Sequence, residues 1–288
     1  MQPLTDERIA AIAGKAEAIR ETIIEMLVAA GSGHTAGPMG MADIFAAFYF
    51  HILRHDPKDP DWPERDRLIL SNGHIVPVRY AAMAHAGYFP VAECMTLRHL
   101  GSRLQGHPER LKLPGLETTS GPLGEGLSQA AGIAYALNLD AKRSFVYCVM
   151  GDGEQDEGIV WESFLWAGKQ GSRLANLIVV IDRNNIQIDG FTENVMPLES
   201  LRAKYEAFNW HVQEVDGHDV RQFVEAIGEA QAVYEKPSVI IAHTIPGKGI
   251  PEIERKYEWH GKPPTEEEGK RFLAELRTLN GKITSEHQ

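Results

Sequence analysis

Between Glu125 and Ala242 the chain alternates helical stretches with short Val- and Ile-rich runs, and this alternation constrains the fold more than any other feature. The order is helix Glu125 to Leu139, strand Ser144 to Met150, helix Ile159 to Gln170, strand Leu177 to Ile181, helix Leu198 to Ala207, strand Trp210 to Val215, helix Val220 to Tyr234 and strand Pro237 to Ala242. A run such as LIVVI has no polar face, so both its faces must be covered, as in a parallel strand between helical layers. The spacing predicts an α/β fold with a doubly wound, mainly parallel sheet flanked by helices. Strand order is not legible in the pattern.

Upstream, Ile9, Ile12, Ala16, Ile19, Ile23, Met26 and Leu27 recur every three or four residues behind Thr5 and before Gly31, which predicts a long amphipathic helix within residues 1–30. Met41 to Leu53 reads as a nearly all-apolar helix. The proline-rich segment HDPKDPDWPERD reads as an exposed loop before a short strand, Arg67 to Ser71, and helices are expected at Val76 to Ala86 and Val91 to Leu100. A last helix, Thr265 to Leu279, leads into the C-terminal tail of residues 265–288. With no linker-like stretch or repeat, residues 1–288 are expected to form one domain.

Charge and hydropathy narrow the partners. A formal net charge of −11 sets the chain against general nucleic-acid binding and requires any anionic ligand to be held locally. Two cysteines, Cys94 and Cys148, make no disulfide framework, and the apolar runs Ile44 to Phe50 and Leu177 to Ile181 are far short of a membrane span. With no leader-like start, the expectation is a cytoplasmic protein with no membrane partner.

The sharpest local feature is Gly151-Asp152-Gly153, where a predicted strand gives way to a helix. Glycines at the carboxyl end of a strand let backbone approach a phosphate. Asp152, Glu154, Asp156 and Glu157, however, would repel one, so a phosphate held here needs a hard cation such as Mg²⁺. Taken alone, the same residues also read as a solvated acidic first turn. Asn184 follows the next strand, in VVIDRNNIQIDG, where adjacent parallel strands would let its side-chain oxygen meet Asp152 around one ion, with the Ile186 carbonyl placed to help. The plain alternative is that Asn184, Asn185 and Asp189-Gly190 only turn the chain.

Four of the twelve histidines, His34, His74, His107 and His218, directly follow glycine, and His260 directly precedes one. On Gly-rich loops an imidazole can reach a ligand and exchange protons near neutral pH. Each taken singly also reads as a solvated loop histidine. The segment TTSGPLGEGLSQAAG is another Gly-rich loop feeding a helix.

Taken together, GSGHTAGPMG, SNGH, GSRLQGHPE, TTSGPLGEG, GDGEQDEG with IDRNNIQIDG, VDGHD and WHGKP resemble the N-terminal, diphosphate-binding part of transketolase, in family order from Gly31 to Pro263. The resemblance implies the thiamine diphosphate-binding fold. It assigns Asp152, Asn184 and the Ile186 carbonyl to Mg²⁺ (or Ca²⁺ or Mn²⁺) and places Gly153 and His74 at the cofactor diphosphate. Gly121 and Leu123 would touch the cofactor rings. His34, His107 and His260 would face the reacting sugar, His260 also lying near the diphosphate, and Glu157 would sit at a dimer interface linking two cofactor sites. The implied reaction moves a two-carbon ketol unit from a ketose to an aldose, as their phosphates, by covalent catalysis on the cofactor.

Two positions depart from the family pattern: Thr35 stands where His-Pro is usual, and Pro246 where some relatives carry a lysine, with Lys248 two residues on. The pyrimidine-binding part of a transketolase has no counterpart here. The resemblance therefore implies a split enzyme completed by a second subunit carrying that domain, as an α2β2 heterotetramer. The rival readings are the α subunit of a 2-oxoacid dehydrogenase's decarboxylating component and a noncatalytic cofactor-binding scaffold.

Overall fold

The computed structural model describes residues 4–278. In chain order the helices are α1 (Asp6–Ala30), α2 (Ala36–Gly40), α3 (Ala42–Ala47), α4 (Val76–Ala86), α5 (Glu125–Leu139), α6 (Gly158–Gln170), α7 (Thr192–Val195), α8 (Leu201–Ala207), α9 (Val220–Ala232) and α10 (Glu266–Thr278). The strands are β1 (Arg67–Leu70), β2 (Val146–Gly151), β3 (Leu177–Arg183), β4 (Ile186–Gln187), β5 (Gly190–Phe191), β6 (His211–Asp216) and β7 (Ser238–His243). Five strands form one sheet in the order β1-β2-β3-β7-β6, every neighbouring pair parallel, and β4 and β5 make a small antiparallel hairpin.

Alternation along the buried strands builds two cores. Tyr147, Val149, Ile178, Val180, Ile240 and Ala242 point into one, with apolar residues of α1, α3, α4 and α9. Val146, Cys148, Met150, Val179, Ile181, Val239 and Ile241 point into the other, with residues of α5, α6 and α8. Period-two side chains on strands covered on both faces leave this as the only way to bury the whole run. The doubly wound parallel sheet expected from the alternation is the architecture found. No helix among the described residues is long and apolar enough to cross a membrane.

The ends of α1 follow their predicted chemistry: Thr5 Oγ1 accepts the Arg8 N–H at 3.2 Å, and Gly31 closes the helix at φ 58°. Other boundaries moved. The expected helix Met41 to Leu53 is α3 followed by a π-helical turn, Phe48–Ile52. Val91 to Leu100 shortens to a 3₁₀ segment, Val91–Thr96, because Arg98 turns left-handed at φ 62°. The helix expected from Leu198 starts at Leu201, where the Ser200 hydroxyl caps it by accepting the Ala203 N–H at 3.2 Å. The α-helix after Gly153 waits until Gly158, behind a 3₁₀ turn at Gly153–Asp156. The last helix ends its described part at Thr278, so Leu279 and the tail lie outside the described residues.

Candidate active site

Parallel strands bring their carboxyl ends to one edge, and the site is built there. Gly151 of β2 is in register with Asp182 of β3, so Asp152 and Asn184 leave neighbouring strands side by side. The two Asp152 oxygens are held unequally. Oδ2 accepts from Arg183 Nη1 at 2.9 Å, the Asn185 N–H at 2.7 Å and Thr192 Oγ1 at 3.4 Å, whereas Oδ1 accepts only the Gly153 N–H at 2.8 Å. Oδ1 is thus the oxygen with capacity to spare. Asn184 donates from Nδ2 to Asp182 Oδ2 at 2.8 Å, which fixes its amide so that Oδ1 takes the Ile186 N–H at 3.0 Å. Burial pushes the Asp152 carboxyl up to about 6, against the pull of Arg183, and pushes Asp182 up to about 7.

Glu154 and Asp152 are not part of a solvated acidic turn: both are buried, while Asp156 and Glu157 are exposed. The Glu154 carboxylate accepts the Ser71 hydroxyl, the Gly124 N–H at 2.6 Å and the Gly151 N–H at 3.0 Å. One side chain therefore ties the end of β1, the TTSGPLGEG loop and the end of β2, and its tight turn accounts for the delayed start of α6. The approach is close enough to need glycine, since a Cβ on Gly126 would lie 2.4 Å from that of Ser71.

Above this edge His34, His74 and His260 converge, with ring centroids 4.8 Å, 5.1 Å and 5.5 Å apart. Burial lowers the pKa of all three, that of His34 to about 4, and charge from the neighbouring imidazoles adds to it for His34 and His74. Three buried polar atoms here have no partner among the described residues: His34 Nδ1, His260 Nδ1 and Asn72 Oδ1. Gathered in one cavity, these three atoms are free to bond a polar ligand.

These groups line one cavity of about 330 Å³. Asp152, Gly153, Asn184 and Ile186 contribute to its lining with His34, His74, His107 and His260, and Gly121 and Leu123 also border it. Ten of the eleven residues singled out in the sequence thus face one space. The exception is Glu157, which stands at the start of α6 on the exposed surface outside the cavity and makes no side-chain capping bond. Lys248 is buried and lines neither this wall nor any other part of the cavity. His218 is likewise no loop ligand, being buried against Asp43. Sequence reading missed Asn72, Asp182 and the Gln187, Ile188 and Asp189 part of the lining. Of these, only Asp189 stands out in the sequence, and then as a turn residue rather than as part of a site.

No group of three or more His, Cys, Asp or Glu side chains fit to hold a metal exists among the described residues. The donors at the strand edge are one carboxylate oxygen, one carboxamide oxygen and a backbone carbonyl. They suit a hard dication that takes its remaining oxygens from a ligand phosphate and water.

A doubly wound sheet with this donor set and a His-lined cavity over it defines a cofactor-binding α/β domain of the diphosphate class. Residues 13–279 match the family described as transketolase, thiamine diphosphate binding domain. The chain belongs to the transketolase family and carries its thiamine diphosphate-binding domain.

Among relatives, it is 43% identical to the 6-deoxy-6-sulfo-D-fructose transketolase subunit SqwG of Clostridium sp. (strain MSTE9), covering 91% of this chain and 94% of that one. It is 39% identical to an apulose-4-phosphate transketolase subunit from Actinobacillus succinogenes, over 91% and 95% of the two chains. Transketolase 2 of Escherichia coli is 44% identical over 88% of this chain, which spans 39% of that protein. The solved transketolase from Leishmania mexicana superposes with a TM-score of 0.88 at 34% identity, covering 92% of this chain and 41% of its own.

Proposed function

We propose that this chain is the diphosphate-binding subunit of a two-chain transketolase that moves a two-carbon ketol unit from a ketose to an aldose. The observation that carries this reading is the joining of Asp152 Oδ1, Asn184 Oδ1 and the unpartnered His34, His260 and Asn72 atoms in one cavity. Asp152, Asn184 and the Ile186 carbonyl hold Mg²⁺, for which Ca²⁺ or Mn²⁺ can stand in. Gly153 and His74 receive the diphosphate, and Gly121 and Leu123 meet the cofactor rings. When bound, thiamine diphosphate supplies a nucleophilic carbon and an electron sink. This chain's own residues then orient the sugar and handle its protons. His34, His107 and His260 stay uncharged near neutral pH, so each can donate a hydrogen bond to a sugar hydroxyl or accept its proton.

A second subunit with a pyrimidine-binding domain completes the site, in an α2β2 assembly. The relatives called subunits match this chain over nearly their whole length, which supports that reading. Exposed Ile159, Leu165 and Trp166, on the helix that follows Glu157, offer an apolar face for contact between two copies. The reading places the enzyme in the cytoplasm.

Asp152→Asn in the assembled enzyme tests the site. It should raise the Mg²⁺ and thiamine diphosphate concentrations needed for half-maximal ketol transfer steeply, and unchanged requirements would refute the metal assignment. Pyruvate and branched 2-oxoacids, offered beside ketose phosphates and sulfo-ketoses, should not be consumed.

A further inference from the structure

The VDGHD motif plays no part in the cavity, yet its histidine is bonded at both ring nitrogens. His218, at the turn between β6 and α9, is buried together with Asp43 of α3 and Arg20 of α1. Arg20 donates to both Asp43 oxygens, at 3.2 Å and 2.5 Å, and from Nε to the Met39 carbonyl at 3.2 Å. His218 Nε2 accepts the Ile245 N–H at 2.8 Å. An imidazole nitrogen that accepts carries no proton, so in the neutral ring the proton sits on Nδ1, which donates to Asp43 Oδ2 at 2.8 Å. The side chain is therefore held in one tautomer from both ends. Burial would raise the Asp43 pKa, but the Arg20 charge and the His218 contact outweigh it and hold the carboxyl well below the usual carboxylate range.

The Ile245 amide is where this matters. Residues 244–247 form a strap leaving β7 that lies directly on the His34 loop: a Cβ on Gly40 would sit 2.8 Å from the Ile245 carbonyl oxygen, and the Gly247 N–H donates to Ala36 O at 2.8 Å. One residue before Ile245, the Thr244 hydroxyl donates to Asp182 Oδ1, and Asp182 Oδ2 holds the Asn184 amide at 2.8 Å. An unbroken path of hydrogen bonds and one peptide unit thus runs from Arg20 through Asp43, His218, the Ile245 and Thr244 strap and Asp182 to the Asn184 carboxamide.

We infer that His218 is a positioning residue: by gripping the Ile245 N–H it fixes the strap so that Thr244 and Asp182 keep the Asn184 oxygen turned toward the cation site. It touches neither cofactor nor sugar. The inference rests on the proposed function for the identity of the cation, but the geometry of the path is independent of it. Groups that orient a metal ligand typically change metal affinity about 10- to 100-fold when removed.

The test uses two substitutions, with Mn²⁺ binding read on the full chain assembled with the pyrimidine-binding subunit and the Asn184 signals on the full chain alone. His218→Gln keeps one donor and one acceptor, whereas His218→Leu keeps much of the volume and has neither. The probe is Mn²⁺ in the presence of thiamine diphosphate, with free Mn²⁺ read by electron paramagnetic resonance. Folded His218→Leu should bind Mn²⁺ about tenfold more weakly, and His218→Gln should recover wild-type affinity. In the ligand-free chain, the ¹H–¹⁵N signals of the Asn184 carboxamide should move in His218→Leu and in Thr244→Val, and should return in His218→Gln. The His218 ring should show its proton on Nδ1.

A proton on Nε2, or unmoved Asn184 signals in a folded His218→Leu, would overturn the inference. Should that variant not fold, Thr244→Val decides through the same signals. Wild-type chain that binds no Mn²⁺ even when assembled with the pyrimidine-binding subunit would count against the proposed function, while the Asn184 signals still judge the path.

Discussion

Burial sets the charge state of His34, and with it a measurable pH signature. Its pKa is lowered from 6.5 to about 4, first by desolvation and then by the charges of His260, Arg98 and His107. Between these values the unfolded chain binds a proton that the folded chain does not, so this group makes the fold less stable as pH falls from about 6.5 toward 4. Asp152 and Asp182, whose pKa values are raised, run the other way. The prediction therefore concerns a difference. Urea unfolding of wild type minus His34→Asn should change by about 2 kcal/mol between pH 7 and pH 5, wild type losing more on acidification. An NMR titration midpoint near 6.5 for His34 would contradict it.

Glu154 gives a second prediction at this scale. Glu154→Ala strands the Ser71 hydroxyl and the Gly124 and Gly151 N–H groups. Chemical denaturation should show a loss of about 3 kcal/mol or more, with cofactor binding lost alongside. Neither Glu154 nor Asp182 was legible as a site residue, because what distinguishes a buried bridging carboxylate from a solvated one is its long-range partners.

Among the elements, periodicity carried the sheet. The Val- and Ile-rich runs in LIVVI and SVIIAH are the strands β3 and β7, covered on both faces as their lack of a polar side requires. Local chemistry carried less. The π-helical turn at Phe48–Ile52 lies in a stretch whose composition reads as plain helix, and the short Val91 segment depends on a left-handed Arg98 that no spacing rule marks. Strand order depends on which crossovers pack together, which single-chain periodicity does not encode.

One close approach between elements gives a prediction well away from the chemistry. A Cβ on Gly168 of α6 would lie 1.8 Å from the Phe208 carbonyl oxygen, a backbone atom that cannot rotate away. Gly168→Ala should therefore lower stability by about 3 kcal/mol in a thermal or urea melt, while leaving thiamine diphosphate affinity unchanged in the fraction that remains folded.

For the whole molecule, the −11 net charge and the anionic cofactor are reconciled locally rather than globally. In the proposed function a metal at Asp152 and uncharged glycine backbone do what the overall field cannot. The Gly-His loops were legible as a group because glycine precedes four of them. Which one was structural was not, since the partners that hold His218, Asp43 and the Ile245 N–H, are distant in sequence. Assembly adds a prediction here. If the proposed α2β2 assembly forms through this face, Trp166→Glu, on the exposed side of α6, should shift it toward smaller species in sedimentation, with a parallel loss of activity.

The most direct measurement is ketol transfer by the purified chain, alone and mixed with the chain carrying the pyrimidine-binding domain, with thiamine diphosphate and Mg²⁺ in both. The account predicts no turnover from the single chain and ketol transfer from the pair. Substantial turnover by this chain alone, or none from the pair, would contradict it.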